Sequence, residues 1–159
     1  MKKIKQNKTK QHLEYRMVGL VPYNISSIQK GIQYGHAVVE YGLKYFKNED
    51  YQKWAKKDKT FIIYNGGTTN LNPETPGKLN IHLEKLREHK IKCAEFYEPD
   101  LGDQLTAIVF LVDERVFNRD KYSLSDNYPG DTDWLDDISK QEIDKILFLR
   151  SFLSDMKFA

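Results

Sequence analysis

At 159 residues, with 40% hydrophobic and 13% aromatic side chains, the chain can bury one good core and is short for two. A net charge of only +2 is not a strong nucleic-acid signature, and no apolar stretch approaches the length that spans a bilayer. The single cysteine, Cys93, excludes an internal disulfide and fits a reducing, intracellular setting.

Charge is unevenly placed along the chain. Lys2, Lys3, Lys5, Lys8 and Lys10 come first, and Asp126, Asp131, Asp133, Asp136 and Asp137 crowd the region near the end. No apolar run follows the lysines, so they are not a secretory signal. They read as a solvated, flexible leader, with phosphate contact as the alternative. The expected organisation is a leader over 1–12, an α/β domain over 13–114, and an acidic connection with a C-terminal helix over 115–159 packed on the same domain.

Tyr15 to Val21 reads as a strand with Pro22-Tyr23-Asn24 as its exit. Ser26 or Ser27 offers a cap to a helix running to Phe46. On that helix Ile28, Ile32, Gly35, Val39, Leu43 and Phe46 form one stripe, and Tyr34, Val38, Tyr41 and Tyr45 a second. Two apolar stripes predict packing on two sides, leaving Gln29, Gln33, Glu40 and Lys44, with His36 at their border, on an open third side. A short helix from Glu49 to Lys57 around Trp54 is expected next, then a strand Thr60 to Tyr64 ended by Asn65-Gly66-Gly67. Leu79, Leu83 and Leu86 mark a helix ending near His89, and Lys92 to Tyr97 a further strand. Leu105 to Val112 is apolar throughout, as expected of a central strand covered on both faces. A last helix is expected from about Asp137 to Ser154, with Ile143, Ile146, Leu147 and Leu153 free to pack. This order argues a single α/β domain with a mixed sheet of about four strands and helices on both faces. Pairing is expected to be mainly parallel, with an antiparallel last pair.

The segments "GIQYGHAVVEYG", after a strand ending in "GLVP", and "EPDLGDQLTAIVFLV" resemble two signatures of the type 2 peptidyl-tRNA hydrolases, in register over Met17 to Val112. The chain is also similar to a subgroup met in tailed bacteriophages, which implies the cytoplasm of a bacterial host. The family cleaves the ester joining a peptide to the 3′-terminal ribose of a transfer RNA. The resemblance carries the motif glutamine onto Gln33, the motif histidine onto His36, the loop aspartate onto Asp100 and the strand threonine onto Thr106. It implies that Asp100 orients or deprotonates water, Lys30 steadies developing negative charge, and Thr106 donates to the same centre. His36 would serve as acid, base or ligand contact, while Gln29, Gln33, Glu40, Gly102, Asp103 and Gln104 would line the ligand site. The chain departs from the pattern where Gln29 holds the position of the helix-start lysine, with Lys30 about 100° further round. It departs again at Asp103, in place of an arginine, and at Gln104, in place of a threonine.

Bland readings stand beside these. His36 could equally be a half-buried helix histidine bonded to Glu40, and Asp100 after Pro99 an ordinary turn residue. Glu98, Asp100 and Asp103 read as a solvated acidic loop rather than a magnesium or calcium site, so neither metal nor cofactor is expected. Asn65 to Thr69 lacks the lysine of a phosphate loop and reads as a turn. Tyr34, Tyr41, Tyr45 and Cys93 read as packing. Three functions follow as expectations: a peptidyl-tRNA-hydrolase-like protein taking a nucleotide or 3′-terminal RNA ligand; a phage anti-defence protein that sequesters or cleaves a small, cyclic nucleotide signal; or an inactive interaction module. No membrane partner is expected, and homo-oligomerisation stays open.

Overall fold

The computed structural model describes residues 12–124 and 133–159. The basic leader, Met1 to Lys10, and the acidic residues Asp126 and Asp131 lie outside the described residues. Four strands form a single mixed sheet in the order β2-β1-β4-β3, with β1 Tyr15–Pro22, β2 Thr60–Gly67, β3 Cys93–Glu98 and β4 Gln104–Asp113. Period-two alternation sends Met17 and Val21 to one face of β1, and Val18 and Leu20 to the other. Leu105 to Phe110 on β4 are buried without a break, as a strand covered on both faces requires.

The first face is covered by α1, Ser27–Tyr45, whose Tyr34, Ala37 and Tyr41 join Met17, Val21, Ala107 and Val109 in one cluster. The second is covered by α3, Lys78–Glu88, and α5, Lys140–Ser154. Leu79, Leu83 and Leu86 of α3, with Ile146 and Leu149 of α5, pack there on Val18, Leu20, Ile108 and Phe110. The predicted two-faced α/β architecture is therefore present. The pairing is not mainly parallel: β1 and β2 are parallel, while β1–β4 and β3–β4 are antiparallel. A helical crossover separates β1 from β2, whereas only a single 3₁₀ turn joins β3 to β4, and β4 then inserts against β1 in the opposite sense.

Other boundaries also differ from expectation. Asn65 to Gly67 continue β2 rather than ending it, because Val21 and Pro22 supply parallel partners. The second helix, α2, stops at Lys53 and opens into a π turn over Trp54–Asp58, where the buried Trp54 indole donates to the Thr60 carbonyl at 3.0 Å. Beyond β4 comes a one-turn α4, Glu114–Phe117. The last helix begins at Lys140 because Ser139, not an aspartate near 137, caps the Glu142 amide. Within it Ile146 is buried but Leu147 is exposed.

The larger correction concerns α1. Its tyrosine stripe docks on the sheet, but Ile28 (77% exposed), Ile32 (51%), Val39 (62%), Leu43 (70%) and Phe46 (55%) face outward. The reason lies on β1: glycine at position 19 leaves room for the Tyr34 ring, whose hydroxyl donates to the Met17 carbonyl at 2.7 Å. Tyr45 likewise donates to the Cys93 carbonyl. The aromatic stripe has both apolar contact and hydrogen-bond partners on the sheet, so it wins the packing face.

Candidate functional site

Across β3 and β4, Phe96 faces Ala107 and Tyr97 faces Leu105, which leaves Thr106 as the extra residue of a β-bulge. A bulge re-aims a side chain, and here the Thr106 hydroxyl turns to α1. It donates to Gln33 Oε1 at 2.5 Å, while Gln33 Nε2 donates to Glu98 Oε2 at 2.6 Å. Gln33 is 6% exposed and Thr106 1%, so α1 is tied to both strands beneath the surface. The amide orientation follows from charge: flipping Gln33 would set its oxygen against the Glu98 carboxylate.

The Thr106 hydroxyl, expected to donate to the reacting centre, is turned onto Gln33 in this structure, with the Phe96 carbonyl 3.4 Å away. Gln33, expected to line the ligand site, is buried between Thr106 and Glu98.

The loop after β3 is a single 3₁₀ turn, Pro99–Leu101. Glu98 accepts weakly from the Asp100 amide at 3.4 Å, and the Asp103 amide donates to the Glu98 carbonyl at 3.1 Å. Gly102 (φ 67°) and Asp103 (φ 57°) are both left-handed, which reverses the chain tightly into β4. Asp100 and Asp103 are exposed, and the Asp100 carboxylate carries no hydrogen bond or ion pair among the described residues. Gln104 Oε1 is buried without a hydrogen-bond partner.

The remaining expected residues separate into two groups. His36 is exposed and does not pair with Glu40; its ring stacks on Phe96 with centroids 4.5 Å apart and planes 15° from parallel. Lys30 is half-buried one turn before Gln33. Gln29 is taken up elsewhere, since its side chain accepts from the Ser26 amide at 3.1 Å while Ser26 Oγ accepts from the Gln29 amide, closing a capping box. Its side-chain oxygen is therefore engaged in the cap. Glu40 lines a separate cleft of about 360 Å³ with Leu43, Lys44, Ala94 and Glu95. Among the described residues no group of three or more His, Cys, Asp or Glu side chains is arranged to hold a metal, and no helix is long and apolar enough to cross a membrane.

Phe96, which seats His36, was not singled out in the sequence, and Glu98, read there only as part of a solvated acidic loop, holds the Gln33 amide. No family model matches the chain and no curated protein is significantly similar to it; the resemblance rests on the motif residues alone.

Proposed function

We propose that the chain is a peptidyl-tRNA-hydrolase-like protein that receives the ribose-bearing end of a nucleotide ligand on the face between α1 and the β3–β4 loop. The observation that carries this reading is the junction of Gln33 with Thr106 and Glu98: residues from both resemblance motifs meet there, with Lys30, His36 and Asp100 on the elements they join. The exposed His36–Phe96 stack offers an aromatic platform for a base. The unpartnered Asp100 carboxylate can accept from a ribose hydroxyl or from water.

Ester hydrolysis at this face would proceed with Asp100 as base. Water adds to the ester carbonyl as Asp100 takes its proton, and Lys30 faces the oxyanion. The carbon–oxygen bond to the ribose then breaks, and the proton returns from Asp100 to the departing 3′-oxygen. The products are a free carboxylic acid and a 3′-hydroxyl. Glu98, Asp100 and Asp103 against Lys30 make the surroundings acidic. That favours the terminal nucleoside over a run of backbone phosphates.

The test is single-turnover hydrolysis of an N-blocked aminoacyl ester on a short 3′-terminal oligonucleotide. Asp100→Asn, exposed and nearly isosteric, should lose activity at unchanged stability. Equal turnover in that variant removes Asp100 from the chemistry, and no turnover in the parent chain removes hydrolysis altogether.

A further inference from the structure

A cavity of about 750 Å³ lies on the other side of the sheet, between α3 and α5. Its α3 wall carries Lys78, His82, Lys85 and His89, spaced i, i+4, i+7 and i+11 and so on one side of the helix. The facing wall presents Phe148 and Phe152, and Lys157 joins from the chain beyond α5. Among the described residues Lys53 and Lys121 form ion pairs, but Lys78, Lys85 and Lys157 do not. His82 is only 7% exposed and packs edge-on against Phe152 at 5.2 Å, yet its Nδ1 has no hydrogen-bond partner. Burial first, then Lys78 and Lys85, push its pKa down to about 4, so at neutral pH the ring offers one donor and one acceptor. A buried polar atom without a partner is costly unless something supplies one.

We propose that this cavity binds a phosphomonoester of nucleotide size, its phosphate held by Lys78, Lys85 and Lys157 and a polar edge of its organic part meeting His82. Three free ammonium groups in one cavity suit a dianion better than a lone carboxylate. Glu88 and Asp155 also line it, which limits the excess charge to about one unit and disfavours a polyanionic RNA backbone. The volume fits a nucleotide, since ligand pockets run from about 300 to 1,000 Å³.

Calorimetry with adenosine 5′-monophosphate, adenosine and inorganic phosphate tests the assignment on the full chain. The monophosphate should bind at least tenfold tighter than either part. Lys78→Gln and Lys85→Gln, both on exposed residues, should each weaken it about tenfold, while Lys53→Gln, outside the cavity, leaves it unchanged. No heat with the monophosphate overturns the site. Phosphate binding as tightly as the monophosphate overturns the ligand size, and loss in Lys30→Ala with retention in Lys85→Gln moves the ligand to the α1 face.

A second inference rests on the outward face of α1. Ile28, Ile32, Val39, Leu43 and Phe46 lie there with Gly31 and Gly35, and the Lys47 ammonium reaches the patch only at its end, 5.5 Å from the centre of the Phe46 ring. At those exposures they present on the order of 600 Å² of apolar surface, the upper end of what monomers leave open. Two such faces reach the roughly 1,200 Å² at which stable interfaces begin. The stripe is also self-complementary. With a dyad near position 37, Gly31 opposes Leu43 and Gly35 opposes Val39, small meeting large, while Ile28 and Phe46 meet at the two ends. We infer that this face packs antiparallel on the same face of a second copy. A Cβ at Gly35 meets nothing within 4 Å in the single chain, so Gly35→Leu should fold normally yet abolish the dimer by filling its centre. Sedimentation equilibrium reads the outcome: a parent dimer and a monomeric Gly35→Leu support the interface, whereas a monomeric parent at 100-fold above nanomolar concentrations, or a dimeric variant, overturns it.

Discussion

The Thr106 hydroxyl donates to the Gln33 carboxamide across 73 positions of sequence, at 2.5 Å and out of contact with solvent. Thr106→Val keeps the shape and deletes the donor, leaving Gln33 Oε1 buried and unpaired. Chemical denaturation should show a loss of about 1–3 kcal/mol. A variant as stable as the parent would mean that the bond does not hold α1 to the bulge.

Glycine at position 19 is required by the ring above it. A Cβ there would sit 2.1 Å from Tyr34 Cδ2, so Gly19→Ala must displace α1 or distort β1. The expected cost is about 1–3 kcal/mol, read as a lowered denaturation midpoint.

Arg150 is buried, and its guanidinium donates to the carbonyls of Arg115 and Tyr122. Burial and the nearby Arg119 lower its pKa. The group therefore clamps α4 and the segment after it onto α5 by hydrogen bonds to carbonyls. Arg150→Met keeps the stem but strands both acceptors, and should cost about 2–3 kcal/mol. Amide exchange should accelerate over residues 114–124 in the same variant.

His82 makes stability depend on pH. Its folded-state pKa of about 4 lies below the unfolded value of about 6.5, so the unfolded chain takes up the proton first. The contribution is complete above pH 6.5 and is lost progressively as pH falls from there towards 4. Denaturation of the parent and of His82→Gln across pH 4 to 7 should differ in slope, by at most about 3 kcal/mol over the window. Parallel curves would show that His82 is freely solvated.

Much of the architecture was legible because it rests on local pattern. The run Leu105 to Val112, apolar but for Thr106, announced a central strand, and the leucine spacing announced α3. The face of α1 was not legible, since Ile28, Ile32, Val39 and Leu43 look as buriable as Tyr34 and Tyr41 on a wheel. What decides between them is Gly19 on β1, a tertiary fact. The site was half legible. The motifs singled out Gln33 and Thr106, which the structure joins by a hydrogen bond, but the bulge that turns Thr106, and the capping box that engages the Gln29 side-chain oxygen, are set by register and helix start. The basic stripe Lys78-His82-Lys85-His89 was not singled out in the sequence, because only the structure sets α5 opposite it.

The most direct test of the α1 face as a terminal-nucleoside site is calorimetric titration with cytidylyl-adenosine and with a whole transfer RNA at 50 and 200 mM salt. Lys30→Ala and Lys85→Gln serve as the site variants. The dinucleotide should bind about as tightly as the transfer RNA, lose under tenfold between the two salts, and be weakened by Lys30→Ala but not by Lys85→Gln. Binding of transfer RNA alone, falling roughly 10³-fold or more over that range as several phosphate contacts require, would contradict it.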